Sequence, residues 1–129
     1  EHASEMSDEQ RLLVQINGVK YRMESFVDGR SPHGKVSVGA FLKELVDIIA
    51  VPHKVFAEYV GLKNTNLSAI YRDRRKVNHD LAMKLGHIFN MNPAVWLNLQ
   101  NKLDLLEISN QHNTTYQQYR LDDLLKKAG

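Results

Sequence analysis

Apolar and polar residues follow two different rhythms along this 129-residue chain. Near the start, in "LLVQINGVKYRM", Val14 and Ile16 alternate with polar neighbours as far as Asn17-Gly18. Val19, Tyr21 and Met23 alternate beyond it. Asn-Gly between two alternating runs is a strong local hairpin signal, because both residues accept the positive φ of a type I′ turn. The alternation therefore predicts a β-hairpin. A lone hairpin is marginal in water, so it must pack on something or pair with a second copy. "VDGRSPHGK", residues 27 to 35, then reads as a Gly/Pro/Ser linker.

From Val38 onward the period lengthens to 3.6 and predicts helices. Phe41, Leu45, Ile48 and Ile49 form the stripe of a first one. Pro52 suits the opening of a second, with Phe56, Ala57 and Val60 on one face, and Gly61 breaks it. Leu67 and Ile70 give a third its inward stripe. Asn78 caps a fourth, with Asp80 in its first turn and Leu81, Ala82, Leu85, Ile88 and Phe89 inside. Asn92-Pro93 opens a fifth, whose stripe is Trp96, Leu99, Leu103 and Leu106. From Asn113, Thr114 and Gln117 stand at capping-box spacing. Tyr116, Leu121, Leu124 and Leu125 follow, with Lys126 and Lys127 at the favourable end of the dipole, so a short sixth helix is expected.

The expected organisation has four parts. Residues 1–10 are a frayed or non-native extension with Met6 as the natural start, and residues 11–37 are the hairpin and linker. Residues 38–109 are a helical domain, and residues 110–129 a helical tail. Hydrophobic residues at 43% and charged residues at 25% fit a soluble globular domain. No apolar run approaches the length of about 18 residues that a membrane span needs. The polar, acidic first ten residues do not look like a signal peptide, so a cytoplasmic protein is expected. The absence of cysteine excludes disulfides, thiolate metal sites and thiol nucleophiles.

The formal net charge is only +2, but the cations are clustered. Lys63, Arg72, Arg74, Arg75 and Lys76 face Asp73 alone between residues 63 and 76, a distribution suited to a polyanion. The same stretch has the requirements of a helix-turn-helix. Ala57 is a small residue where two helices cross, Gly61 supplies positive φ in the turn, and Leu62 plugs the gap. Leu67 and Ile70, three apart, hold the second helix to the core. Their burial turns Asn64, Thr65 and Ser68 outward, with Asn66 at the flank and Ala69 beside them. Amides and hydroxyls hydrogen-bond base edges, and a Thr or Ala methyl can meet a thymine methyl. The flanking cations would meet phosphates.

"HKVFAEYVGLKNTNLSAIYRDRRKVNHDLAMKLGHIFNMNPAVWLNLQNKLDLLE" resembles the Cro/phage-repressor (XRE) type of helix-turn-helix. More narrowly it resembles the HigA-type antitoxins of toxin–antitoxin pairs. "LAMKLGHIFNMNPAVWLNLQNKLDL" is similar to that family's ending, chiefly at Pro93, Trp96, Leu97, Asn98, Leu99 and Gln100. The likeness covers roughly residues 38 to 108. It implies an all-α, five-helix lambda-repressor-like domain, to which the hairpin and the short C-terminal helix are appended. It also implies dimeric operator binding, repression of its own operon and a small ribonuclease toxin as partner. By position, Asn64, Thr65 and Ala69 would face bases, and Asn66 and Ser68 would lie nearer the backbone. His53 stands where such proteins often carry glutamine, and would contact a phosphate or support a base contact. The sequence departs from the pattern at Pro52, where serine or threonine is usual, and at Asp73, where glycine is expected. Ala69 cannot hydrogen-bond a base.

Other candidate chemistries fall away. His79 and His87 are eight apart with no other ligand cluster, so neither a metal nor any other cofactor is expected. Ser68 lacks a base and an orienting acid at any useful spacing, so an enzyme is not expected. Trp96 fits a core anchor. Tyr116 and Tyr119 fit packing, and Asp122-Asp123 a solvated pair. Asn98 and Gln100 suit either a partner or local capping. Two alternatives to an antitoxin-type repressor stay open. One is a protein-interaction module in which toxin binding or scaffolding dominates, through the hairpin's strand edge. The other is a phage-type or metabolic regulator with no toxin.

Overall fold

The computed structural model describes residues 6–29 and 36–129. Those residues form α1 (Asp8–Val27), α2 (Val38–Ile49), α3 (His53–Tyr59), α4 (Asn64–Tyr71), α5 (His79–Phe89), α6 (Pro93–Gln117) and α7 (Leu121–Ala128).

The expected hairpin is a helix. No strand occurs among the described residues, and Asn17-Gly18 lies in the middle of α1. A second reading of the same letters explains the outcome. Leu12, Ile16, Val19, Met23 and Phe26 recur at helical spacing, and the last four are buried, Met23 completely. Burying an apolar side chain of this size is worth about 1.5–3 kcal/mol. Four of them outweigh the roughly 1 kcal/mol that a mid-helix glycine costs. The start is also specified locally. Ser7 Oγ accepts from Gln10 N–H, and the Gln10 side chain accepts from Ser7 N–H, which is a complete capping box. Of the extension expected over residues 1–10, Asp8–Gln10 form the first turn of α1, and residues 1–5 lie outside the described residues. Most of the expected linker, residues 30–35, also lies outside them.

α1 packs on α2 and α6. Lys102 Nζ donates to Phe26 O at 2.7 Å and caps the end of α1 while its charge sits over the Phe26 ring. Lys20 Nζ donates to Asn90 O at the end of α5, also at 2.7 Å. The five helices expected after residue 38 are α2 to α6. Asn78 Oδ1 accepts from Leu81 N–H at 2.8 Å, and Asn92 Oδ1 accepts from Ala94 N–H at 2.9 Å. Trp96 is fully buried beside Leu99, and its Nε1–H has no partner among the described residues.

Two features of the C-terminal end depart from expectation. Leu106 is exposed, so the core stripe of α6 stops at Leu103. The range to Gln117 is two helical stretches joined across a kink, and the second begins close to the expected start at Asn113. His112 leaves helical geometry (φ −130°, ψ 23°) and kinks α6 there. The expected tail helix is instead divided, with a break after Gln117 and α7 starting at Leu121.

Candidate nucleic-acid interface

α3 and α4 are joined by Val60-Gly61-Leu62-Lys63, and the geometry of that turn follows from one residue. Gly61 adopts φ +80°, and its N–H donates to Glu58 O at 3.1 Å while Leu62 N–H donates to Ala57 O at 2.8 Å. This crossed pair of bonds is the Schellman ending of a helix, which needs a left-handed residue. Ala57 is fully buried and Leu62 partly so. Lys84 Nζ donates to Val60 O at 2.9 Å, adding a cation at the negative end of α3.

α4 ends in the same motif, with a carboxylate in the glycine's place. Asp73 N–H donates to Ile70 O at 3.0 Å and Arg74 N–H to Ala69 O at 2.9 Å, with Asp73 at φ 59°. The Asp73 side chain reaches across to the start of α2. Its Oδ1 accepts from Gly39 N–H at 2.9 Å. Gly39 is itself wedged against the end of α4, where an added Cβ would lie 2.2 Å from Ile70 O and 2.4 Å from Tyr71 O. Asp73 thus serves as a left-handed terminator of one helix and an anionic cap of another. Among the described residues Asp73 forms no ion pair with an arginine.

Leu67 and Ile70 are buried and pin α4 to the core. Lys63, Asn64 and Thr65 are exposed, while Asn66, Ser68 and Ala69 are half-buried. Arg72, Arg74 and Arg75 are exposed and make no ion pair among the described residues. Lys76 differs, because its Nζ pairs with Asp104 of α6. A groove of about 690 Å³ lies there, bordered by Arg72, Arg75 and Lys76 on one side and by Asp104 and Glu107 on the other. The cluster is therefore not one uniform patch. Lys76 and its neighbours border a mixed-charge groove, whereas Arg74 does not line it.

The loop carrying these cations is tied down at its far end by Gln100. Val77 N–H donates to Gln100 Oε1 at 2.8 Å, and Gln100 Nε2 donates to Val77 O at 3.1 Å. Of the two roles open to Gln100 in the sequence, the structure shows a local one. Asn98 is exposed.

His53 opens α3 with both ring nitrogens engaged. Nδ1 lies 2.7 Å from the Tyr71 hydroxyl, and Nε2 lies 3.1 Å from Asp47 Oδ1. A neutral ring protonated on Nε2 satisfies both contacts, donating to Asp47 and accepting from Tyr71. The Lys43 hydrogen bond, opposed next by burial and then reinforced by the Lys43 charge and by His53, holds the Asp47 carboxyl below its usual range. Burial, and then the Asp47 charge, push the Tyr71 phenol up to about 12. Sequence reasoning assigned no role to Tyr71 or Asp47. Helical spacing of three from Ser68 and seven from Asn64 already places Tyr71 next to the polar face of α4. Asp47, on another helix, carries no such local signal.

Among the described residues, no three metal-binding side chains gather, and no helix is long and apolar enough to cross a membrane.

No family model matches the chain. Over 83 residues it is 29% identical to an uncharacterized HTH-type transcriptional regulator of Haemophilus influenzae, covering 64% of this chain and 76% of the relative. Over 81 residues it is 27% identical to the HTH-type regulator YbaQ of Escherichia coli strain K12, covering 63% and 72%. Among solved structures it resembles a putative antidote protein of a plasmid maintenance system from Nostoc punctiforme. The TM-score is 0.57 at 29% identity, over 64% of this chain and 91% of that one. Both sequence relatives are named as regulators and not as enzymes. The chain is thus a relative of helix-turn-helix transcriptional regulators, with a plasmid-maintenance antidote protein as a structural neighbour.

Proposed function

We propose that this chain is a sequence-specific DNA-binding repressor of the antitoxin type, acting as a dimer through α4. The carrying observation is the exposed polar start of α4, held rigidly by Leu67 and Ile70 and by Schellman turns at Gly61 and Asp73. Asn64 would bond a base edge, Thr65 and Ala69 would offer methyls to thymine, and two copies would read half-sites about one helical turn apart. Lys63, Arg72, Arg74 and Arg75 would meet phosphates, with Asn66, Ser68 and His53 at the margins. Lys76 would join them only by leaving Asp104. The regulator relatives support the DNA-binding part of this reading, and the antidote neighbour supports the antitoxin part.

The test uses fluorescence anisotropy with duplexes selected from a random pool, measured across salt concentrations. Arg74→Ala should weaken binding to all sequences and flatten the salt slope by about one unit. Asn64→Ala should instead lose discrimination at particular base pairs, by about 1–3 kcal/mol. If neither change alters affinity for any duplex, α4 is not the reading element. The interaction-module alternative loses its original support, since the segment expected to offer a strand edge is helix α1.

A further inference from the structure

α7 presents an apolar face with nothing on it. Leu121, Leu124 and Leu125 stand at helical i, i+3, i+4 spacing, and they are 70%, 63% and 61% exposed. No residue of this eight-residue helix is buried. A helix so short is marginal in water by its own hydrogen bonds and persists when its apolar stripe is covered. Among the described residues of this chain, none covers it.

We propose that α7 is a self-association element that pairs antiparallel with α7 of a second copy. The order of charges selects the second copy as occupant. α7 carries Asp122 and Asp123 in its first turn and Lys126 and Lys127 in its last, with the leucine pair between. An antiparallel pair with its two-fold axis level with Leu124 and Leu125 sets Asp122, which Arg120 of its own chain also holds, on the same flank as Lys126 of the second copy. Asp123 then shares the other flank with Lys127 of that copy, and the leucines of the two copies meet between them. Reading the helix backwards turns every charge into its complement, which is the self-complementarity a two-fold interface requires. A parallel pair would set like charges level with one another. α7 spans only about 12 Å, and a specific interface buries about 800 Å² per partner. The pairing therefore needs further surface, and Leu105 and Ile108 on the far half of α6 are exposed. The operator reading calls for a dimer and leaves its interface unassigned. The pairing supplies one, and its test needs no DNA.

Sedimentation velocity on the full chain is the experiment. Wild type should be dimeric. Asp122→Lys with Asp123→Lys makes the helix wholly cationic, and Lys126→Asp with Lys127→Asp makes it wholly anionic. Each double variant alone should self-associate about tenfold or more weakly, through like-charge repulsion. An equimolar mixture of the two should recover the dimer. Charges that merely complemented the helix's own dipole would give no such recovery. A monomeric wild type, a dimer indifferent to both reversals, or a mixture that stays monomeric would each overturn the pairing. Binding of each variant to a single half-site duplex reports α4 separately. Charge-dependent assembly without any duplex binding would uphold the pairing and sink the operator reading.

Discussion

The Gly39 backbone N–H donates to Asp73 Oδ1 at 2.9 Å, joining the start of α2 to the end of α4. Two demands meet in that bond. Asp73 pays a left-handed penalty in order to end α4, and its carboxylate caps an N-terminus that favours negative charge. Asp73→Ala keeps the penalty and loses the cap, so it should cost about 1–2 kcal/mol in urea denaturation. Asp73→Gly also loses the cap but relieves the backbone, and should cost less. A glycine variant less stable than the alanine variant would refute this division of roles.

Gly39 makes a harsher prediction at the same junction. A methyl there meets the Ile70 and Tyr71 carbonyls, neither of which can turn aside. Gly39→Ala should destabilise by about 3 kcal/mol, as an overpacked core does, and should displace α4. Unchanged unfolding midpoints would show that the two helices are not in this contact.

Gly18 offers a test in which the sign decides. It sits mid-helix, exposed, with open space around its missing Cβ. Gly18→Ala should therefore stabilise the protein by about 0.5–1 kcal/mol. In a type I′ turn the same change would be destabilising, because the position needs positive φ. Thermal unfolding of the two proteins distinguishes them.

Gln100→Ala should cost about 2 kcal/mol, since it leaves a Val77 donor and acceptor without partners. Gln100→Glu keeps an acceptor for Val77 N–H and loses the donor to Val77 O, so it should fall between alanine and wild type. Hydrogen exchange at Val77 is the direct readout and should quicken in the alanine variant.

Tyr71 predicts a fall in stability in alkali. Its phenol is raised from 10.0 to about 12, so between those values the unfolded chain has lost a proton that the folded chain keeps. Unfolding is then favoured as pH rises through that window, while the full contribution is present below it. Urea midpoints should drop across this range in wild type and drop less in Tyr71→Phe. Equal slopes would rule out Tyr71 as the source.

The helices from α2 to α5 and the start of α6 were legible because their stripes are backed by local punctuation: Asn78 and Asn92-Pro93 as starts, Gly61 as a stop. α1 was misread because a strong two-residue signal, Asn17-Gly18, overlaid a helical stripe whose value depends on packing against α2 and α6. The Ser7 and Gln10 capping box was there to be read. Of the candidate site, the exposed and buried faces of α4 follow from period alone. The Asp47–His53–Tyr71 contacts and the Lys76–Asp104 pair join residues from separate helices or far along the chain. No spacing rule on one helix exposes them. Asp73 showed as an anomaly in sequence, and its meaning needed the start of α2.

The backbone of Arg72, Arg74 and Arg75 is fixed before anything binds, by the Schellman bonds and Asp73 at one end and by Gln100 at the other. A polyanion meeting these arginines has only side-chain freedom to remove, and not the freedom of a loop. Recognition by this surface should therefore be rigid-body in character, and loosening Gln100 or Asp73 should weaken it without touching a single positive charge.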